Sequence, residues 1–313
     1  MLQLVVRRIL WSVPLLFGVS ALTFVLLALT PGDPTIAILG NEAPPEAYVR
    51  LRHELGLDDP IYVQYWHWLT GALHGDLGSS VVSSQPVTDM IQTRLPVTLS
   101  LILVAMTLST ALGLGLGVLA ATRGGFSARV IDVVSLIGTA IPNYLLALGF
   151  VALFAVSWGL LPATGYVPFA DSPGQWARSL VLPVLVLAIG GLALLAKQTR
   201  DSMFDVLSRD YITTLRAGGV SERSIIYKHA LRNAAIPPVT VLGLKFAGML
   251  SGTVIVESVF VLPGLGSMAV QGTLQHDVPV VQGVTLVFTL LVVAGNLLVD
   301  VSYGWLNPKA RIA

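Results

Sequence analysis

Six long runs of apolar residues divide this chain, and they constrain its fold more strongly than any other feature of the sequence. A helix needs ~20 mainly apolar residues to cross a bilayer, and runs of this length are typical of membrane spans. Only 11% of the 313 residues are charged, whereas soluble domains average about 25%. The runs that we expect to cross are residues 9–29, 97–121, 130–156, 180–196, 236–256 and 280–301. The sequence therefore predicts an all-α polytopic membrane protein with six transmembrane helices.

The first run has a second interpretation as a cleaved signal peptide, because Arg7 and Arg8 precede it as the basic region of a signal would. Its roughly 20 apolar residues exceed the ~7–15 of a signal's hydrophobic region, and no clear Ala-x-Ala cleavage site follows it. We therefore interpret this run as a retained first transmembrane helix.

Lysine and arginine lie mainly on one side of the predicted spans, and cytoplasmic loops of membrane proteins carry an excess of both. With a cytoplasmic N-terminus, the outside segments hold only Arg50, Arg52, Arg94 and Arg178. The inside segments then hold Arg7, Arg8, Arg123, Arg129, Lys197, Arg200, Arg209, Arg216, Arg223, Lys228, Arg232, Lys309 and Arg311. This asymmetry predicts that both termini are cytoplasmic.

The segment from Thr30 to Leu95 is too long for a simple connection between two spans. We expect it to form an ordered extracytoplasmic cap with two short helices, the first ended by Gly56 and the second started near Pro60. Trp66 and Trp68 are of the residue type that lies at the level of the lipid headgroups. The cap is either a landing surface for a partner, which the pattern favours, or a spacer packed on the bilayer.

No residue pattern in the chain supplies energy or catalysis. The P-loop that cradles the phosphates of ATP is absent from the sequence, and "HELGL" at His53 lacks the second histidine of the zinc-protease motif. With no cysteine, thiolate chemistry and Cys-based metal sites are excluded. We find no nucleophile–base pair either. We therefore expect a protein that is not an enzyme, with no catalytic residue, no cofactor and no metal site.

Glycine pairs and one lysine stand out within the apolar runs. Gly113 and Gly117, like Gly248 and Gly252, are spaced four apart, which favours close packing between membrane helices. Lys245 lies deep in the fifth run, where ionisable residues often mark a pathway. It either lines a passage or extends its amine to the interface, and the sequence leaves both open. The scarcity of carboxylates deep in the runs argues against a carrier driven by an ion gradient.

The segment between the fourth and fifth runs, residues 197–235, is basic and yet patterned for helices. Gly218 and Gly219 are suited to end a first short helix. We expect the hydroxyl of Ser221 to cap a second helix, which continues to about Asn233. Two short helices that expose cations and apolar side chains would form a docking site for another protein. The alternative is a basic loop that only sets the topology.

This segment, "RAGGVSERSIIYKHALRNAAIPP", resembles the cytoplasmic coupling loop of binding-protein-dependent ABC importer permeases, in the dipeptide/oligopeptide/nickel branch. The resemblance is carried by Ala217, Gly219 and the stretch from His229 to Asn233. The wider superfamily has Glu-Ala-Ala where this chain has Thr213-Thr214-Leu215. Other stretches similar to this branch are "TPGDP", "ELGLDDP", "QYWHWL", "GDLGSS", "RLPVTLSL" and "ESVFVLPGLGSMAVQGTLQHDVPVVQG".

The resemblance implies a permease subunit in the cell membrane of a prokaryote, which forms half of the pathway for di- or oligopeptides in an ATP-driven importer. Its partners would be a second, related permease, two ABC ATPase subunits that bind the ATP, an extracytoplasmic solute-binding protein, and membrane lipid. No nucleic acid is expected. The residues that would couple to the ATPase are Tyr211, Leu215, Arg216, Ala217, Gly219, Ser221, His229, Leu231, Arg232 and Asn233. Nickel chelates and glutathione are alternative solutes of the same branch, and an ion-gradient-driven carrier is the alternative from another class.

These expectations divide the chain into three parts. Residues 1–29 hold the N-terminus and the first transmembrane helix, and residues 30–95 form the extracytoplasmic cap. Residues 96–313 form a five-helix permease core that includes the coupling loop 197–235.

Overall fold

The computed structural model describes residues 2–40 and 42–306, and helices dominate this part of the chain. Lys309 and Arg311, which the orientation argument counts as inside cations, lie outside the described residues. The helices are α1 (Leu2–Leu29), α2 (Pro34–Leu39), α3 (Pro45–Glu54), α4 (Ile61–Leu73), α5 (Val87–Arg123), α6 (Gly125–Ala140), α7 (Asn143–Phe150), α8 (Pro173–Leu207), α9 (Asp210–Ala217), α10 (Glu222–Ser224), α11 (Leu231–Ala234), α12 (Ile236–Val259), α13 (Leu265–Leu274) and α14 (Val278–Leu306). Two π-helices complete the set, π1 (Val151–Ser157) and π2 (Ile225–Ala230).

Five of the described helices contain stretches long and apolar enough to cross a membrane. They correspond to five of the six runs predicted from the sequence. These apolar stretches are Val5–Leu29, Val87–Arg123, Pro173–Leu207, Ile236–Val259 and Val278–Ser302.

The third predicted run, residues 130–156, is not one continuous helix. It consists of α6, a break at Ile141 and Pro142, and then α7 continuing as π1. Pro142 has an extended backbone, with φ −60° and ψ 140°, and directly precedes α7. Proline cannot donate the backbone hydrogen bond of a helix interior and pushes the residue before it out of the α region. The break thus follows from a proline within the apolar run.

The chain folds into two compact units, and α5 and α14 each contribute to both. One unit consists mainly of Leu99–Val261, with residues 294–306. Its central element is α8, which packs against α6 and α12. Buried serines add polar contacts to α8. The hydroxyl of Ser135 on α6 donates to the carbonyl of Ala193 at 2.7 Å, and that of Ser109 on α5 donates to the carbonyl of Ala188 at 3.0 Å.

Three of the four predicted packing glycines lie at close helix contacts of this unit. A Cβ atom at Gly113 would meet Leu195, one at Gly117 would meet Thr199, and one at Gly252 would meet Leu187. Gly248 differs, because no atom lies within 4 Å of the place where its Cβ would be. It lies on the face of α12 that also exposes Leu244.

Two glycines that the sequence analysis did not single out let α12 and α14 approach each other. A Cβ at Gly295 would overlap the ring of Phe246, and one at Gly243 would lie 3.1 Å from Val299. Short distances of this kind require the absence of a side chain, as is typical of helix contacts in membranes.

The other unit consists of Val6–Thr98 and Leu262–Val293. Its core joins the start of α5, α13 and the first part of α14 through Val87, Leu265 and Val284, all essentially inaccessible to solvent. Buried Asp277 fastens the "GDLGSS" stretch to the turn before α14. It accepts a 2.5 Å hydrogen bond from the Ser80 hydroxyl, and a longer one from the backbone N–H of Val81.

Candidate functional site

The candidate site is residues 208–235, between α8 and α12, and we refer to it as the coupling segment. Its first helix, α9, ends in a Schellman motif. Gly219 has a left-handed backbone, with φ +76°, and its N–H donates to the carbonyl of Arg216 at 3.0 Å. The N–H of Val220 donates to the carbonyl of Leu215 at 3.1 Å. These two bonds satisfy carbonyls at the helix end and require a residue that tolerates positive φ, which glycine does.

The second half of the coupling segment begins at Ser221, as the sequence predicts, but not by the predicted bond. Ser221 has the extended backbone of an N-cap residue, and its carbonyl accepts from the N–H of Ile225 at 3.0 Å. Its hydroxyl makes no capping hydrogen bond. The predicted side-chain cap is therefore wrong, because backbone conformation alone starts this helix.

The middle of this second half is the π-helix π2, which lies between α10 and α11. A π-helix has a wider turn than an α-helix and occurs often at functional sites. The last residue of π2, Ala230, and Ile225 at its start are both fully buried. Between them the chain exposes Tyr227 and Lys228. The wide turn thus keeps both ends of π2 in the core and directs its middle outward.

Apolar side chains anchor the coupling segment to the ends of two long helices. Ile212 and Ile225 have no accessible surface and pack in one cluster with Val118 of α5 and with Met203 and Val206 of α8. Burying such a side chain contributes about 1.5–3 kcal/mol. A segment held by several such residues moves together with the helices to which it is anchored.

Polar contacts join the two halves of the coupling segment. The guanidinium of Arg216, at the end of α9, forms a 2.5 Å ion pair with Glu222, at the start of α10. The side-chain amide of Asn233 donates to the Tyr211 hydroxyl at 3.1 Å and to the carbonyl of His229 at 3.0 Å. The ion pair is largely exposed and adds little stability, but the ion pair and the Asn233–Tyr211 bond together set the relative position of the two halves.

The structure divides the ten predicted coupling residues into an outward and an inward group. The outward residues are Tyr211, Arg216, Ala217, Gly219, Ser221, Arg232 and Asn233. The inward residues are Leu215, His229 and Leu231, which are partly buried. Leu215 and Leu231 pack against the apolar cluster. The outward group is available to a partner, whereas these two leucines hold the segment in place.

Two exposed aromatic residues that the sequence analysis missed flank this surface. Tyr227 of π2 is 61% exposed, and Phe204 of α8 is 67% exposed. Phe204 lines a cavity of about 420 Å³ together with Arg216, Glu222 and Ile226. Aromatic and arginine side chains are the usual anchors of protein–protein interfaces. Tyr227 could have been identified because it is four residues after Arg223, on the same exposed helix face.

Lys245, the predicted pathway residue, is half-buried on α12. Within the described part of the chain it forms no ion pair. Its neighbours on the helix, Leu244 and Gly248, are exposed. The surface of α12 at Leu244 and Gly248 is therefore accessible, and Lys245 lies beside it.

Comparison with known proteins covers nearly the whole chain. Residues 113–312 match the family described as binding-protein-dependent transport system inner membrane component, and residues 1–102 match the family of its N-terminal part. The chain is 44% identical to a peptide transport system permease protein of Brucella abortus (strain 2308), over 99% of both chains. It is 41% identical to the glutathione transport system permease protein GsiC of Escherichia coli (strain K12), again over 99% of both chains.

Among solved structures, the methionine ABC transporter MetNI in inward-facing conformations shares the fold. The match has a TM-score of 0.51 and 19% sequence identity, and it covers 68% of this chain and 95% of the other. The coupling segment and α12, in which the sequence analysis found its candidate residues, both lie in the region matched by the first family. The chain therefore belongs to the family of inner membrane components of binding-protein-dependent transport systems.

Proposed function

We propose that this chain is one of two permease subunits of an ATP-driven importer for peptides, and that it binds a cytoplasmic ABC ATPase through the coupling segment. One observation carries the proposal. In a family of transport components, a segment of two short helices is anchored by fully buried residues and directs aromatic and cationic side chains outward. A surface of this kind can bind a partner and pass a displacement to α5 and α8.

The proposed topology has six crossings, with α6, α7 and π1 together forming the third as a broken span. Membrane spans tolerate a proline break where neighbouring groups satisfy the freed backbone. The positions of lysine and arginine support cytoplasmic termini, a cytoplasmic coupling segment and an extracytoplasmic segment between α1 and α5. Because the chain has no cysteine, single cysteines at Arg50 and Tyr227 can be labelled with a membrane-impermeant maleimide. If intact cells are labelled at the Arg50 cysteine and not at the Tyr227 cysteine, the result supports this topology. The reverse pattern contradicts it.

The mechanism that we propose requires different engagement of the ATPase in two states. ATP binding closes the ATPase dimer and draws the coupling segments of the two permeases together, which turns the pathway from inward- to outward-facing. A partner can bias such an equilibrium only by binding the two states with different affinity. The solute-binding protein delivers the peptide to the outer face.

The solute is peptide-like in this proposal, because a relative at 44% identity is named for peptide transport and one at 41% for glutathione, which is itself a tripeptide. Glutathione is therefore the second candidate. Proteoliposomes that contain this chain, its second permease, its ATPases and its binding protein are expected to take up labelled dipeptides when ATP is enclosed with the ATPases. Competition with unlabelled glutathione then ranks the two solutes.

The same vesicles test the transport class. Uptake that requires the ATPase subunits and persists after an ionophore collapses the ion gradients supports an ATP-driven importer. Uptake by the permeases alone, abolished by the ionophore, would show an ion-gradient-driven carrier instead and would refute the proposal.

We also propose that Lys245 borders the pathway and meets the carboxylate of the solute. Its half-buried side chain, beside the exposed Gly248, supports this role. In Lys245→Met, the preference for peptides with a free carboxylate over their amides is expected to disappear. Unchanged selectivity at normal protein levels would rule this role out.

A further inference from the structure

We infer that helix α4 lies in the membrane interface, with the face formed by Tyr62, Trp66 and Leu73 in contact with lipid. This surface is defined by those three residues and is called the aromatic face below. Their side chains are 74%, 60% and 76% exposed. At 3.6 residues per turn they project from α4 within a narrow sector. None of the three is charged.

Another face of α4 attaches the helix to the rest of the protein. Tyr65 and Trp68 are partly buried, and Trp68 packs with Ala72 against the core of its unit. A third face carries the exposed histidines His67 and His74. The helix thus has a protein-facing side, an apolar exposed side and a polar exposed side. This division is typical of a helix at the boundary between lipid and water.

The depth of α4 follows from its contact with α1. The hydroxyl of Tyr65 lies 2.9 Å from that of Ser20, and the Tyr65 ring packs edge-on against both Phe17 and Phe24. Ser20 lies nine residues before Leu29, where the apolar stretch of α1 ends. At 1.5 Å per residue this distance is about 13 Å along the helix. A helix attached at that level lies beside the lipid-crossing part of α1, not beyond its end.

The attachment extends to a third helix. The side-chain amide of Gln282, fully buried in α14, donates to the carbonyl of Ser20 at 3.1 Å. Ser20 therefore receives polar contacts from both α4 and α14. Hydrogen bonds of this type hold membrane helices together. The Tyr65–Ser20 contact attaches α4 to α1, and the Gln282 bond holds α1 against α14 at the same level.

Lipid is the occupant that these observations favour for the aromatic face. The C-terminal half of α1 exposes Leu22, Leu26 and Leu29 on the side turned away from α4, and this side meets lipid if α1 crosses the bilayer. Tyrosine and tryptophan are enriched where the chains and headgroups of lipids meet. A soluble partner is better served by neighbouring α3, which exposes charged residues such as Arg50. The occupied leaflet is the one that holds the C-terminal half of α1.

Spin labels test this inference directly, because single cysteines can be introduced without removing native thiols. Tyr62→Cys, Trp66→Cys and Leu73→Cys sample the aromatic face. His67→Cys on the same helix and Arg50→Cys on α3 are the matched controls. Each labelled full-length chain is placed with its partner subunits in lipid nanodiscs, and collision with oxygen is compared with collision with a water-soluble nickel chelate.

We expect the ratio of oxygen to nickel accessibility to be several-fold higher at all three positions of the aromatic face than at His67 and Arg50. Nickel accessibility at Tyr62 and Trp66 equal to that at His67 would place the face in water, open to a soluble protein. Low accessibility to both reagents would show that protein covers it. Either result overturns the inference. The measurement requires no transport, so its failure is distinguishable from failure of the proposed function.

Discussion

Two segments of this chain use the same local structure for different surroundings. In the coupling segment and in the segment formed by α3 and α4, a glycine with a left-handed backbone ends the first short helix, at Gly219 and at Gly56 respectively. In both, the N–H of the glycine and the N–H of the residue after it donate to carbonyls at the helix end. The coupling segment then buries Ile212 and Ile225 completely, whereas α3 has no buried residue. Local helix-ending chemistry is therefore shared, and the side chains around it decide whether a segment is firmly anchored.

The exposed faces of the two segments differ as well. The coupling segment exposes cations together with Tyr211 and Tyr227, as expected of a surface that binds protein in water. The aromatic face of α4, in contrast, exposes Tyr62 and Trp66 and carries no charge. The predictions below test this comparison, beginning with the largest expected effect.

Gly219→Pro is expected to abolish ATP-dependent uptake while the chain still inserts into the membrane. Proline holds φ near −65° and has no N–H, so it can neither adopt the φ of +76° nor bond to Arg216. ATP hydrolysis and peptide uptake, measured together in proteoliposomes, should become uncoupled. Normal uptake by this variant would contradict a role for the segment in transmission.

A pair of alanine variants provides the control for that change. Gly219→Ala introduces a side chain at positive φ, which costs roughly 1–2 kcal/mol. Gly218→Ala does not, since the backbone of Gly218 has φ −77°. Uptake should fall only in the first variant, and equal effects of the two would indicate that left-handed geometry is irrelevant here.

Ile225→Ala and Tyr227→Ala should separate anchoring from binding. Removing the fully buried Ile225 side chain is expected to destabilise the segment by about 2–5 kcal/mol, seen as faster hydrogen exchange of its amides. Tyr227→Ala should leave exchange unchanged and weaken binding of the ATPase about tenfold or more, a loss of over ~1 kcal/mol that is usual for an interface anchor. Faster exchange in the Tyr227 variant would show that this residue is structural.

The smallest expected effect concerns the ion pair between Arg52 of α3 and Asp33, the N-cap residue of α2. Burial acts to raise the pKa of Asp33, but hydrogen bonds from Thr35 and Arg52 outweigh it, and the pKa lies below its usual 3.8. The unfolded segment therefore binds the proton more readily, so the contribution is complete above that value and disappears as the pH falls through the lower, folded pKa. Because the pair is partly exposed, the change should be modest.

The mobility of a spin label at Val49→Cys measures this effect as the solution is acidified. It should increase below about pH 4, and it should change less in an Arg52→Gln background, where part of the cause of the low pKa is removed. A label whose mobility rises equally in both backgrounds would exclude the ion pair as the cause.

The features that could be predicted from the sequence are those that depend on residues close together along the chain. Long apolar runs identified the five helices that are long and apolar enough to cross a membrane, and glycine identified both helix ends, because backbone preference is local. The break at Pro142 was missed although the proline is visible, since an apolar run was read by its length alone. The packing of Gly243 and Gly295, rather than of Gly248, could not be found from spacing. In a membrane helix both the lipid-facing and the protein-facing sides are apolar, so the pattern does not show which side meets a neighbour.

The anchoring of the coupling segment could likewise be predicted only in part from the sequence. The sequence analysis counted Leu215 and Leu231 among the residues that contact the ATPase, yet both pack against the apolar cluster inside the protein. Their positions depend on Met203 and Val206 of α8, which extends to Leu207. Long-range packing of this kind is not encoded in the local pattern.

The central claim is that the coupling segment is the surface to which the ATPase binds. Cysteine crosslinking to the ATPase measures this most directly. Single cysteines replace Tyr227 and Arg232 in the coupling segment, and a cysteine at Arg50 in α3 is the control. Each is combined with cysteines placed over the surface of the ATPase. The account predicts crosslinks from Tyr227 and Arg232, whose yield changes when ATP is added, and none from Arg50. Crosslinks from Arg50 without any from Tyr227 or Arg232 would contradict it.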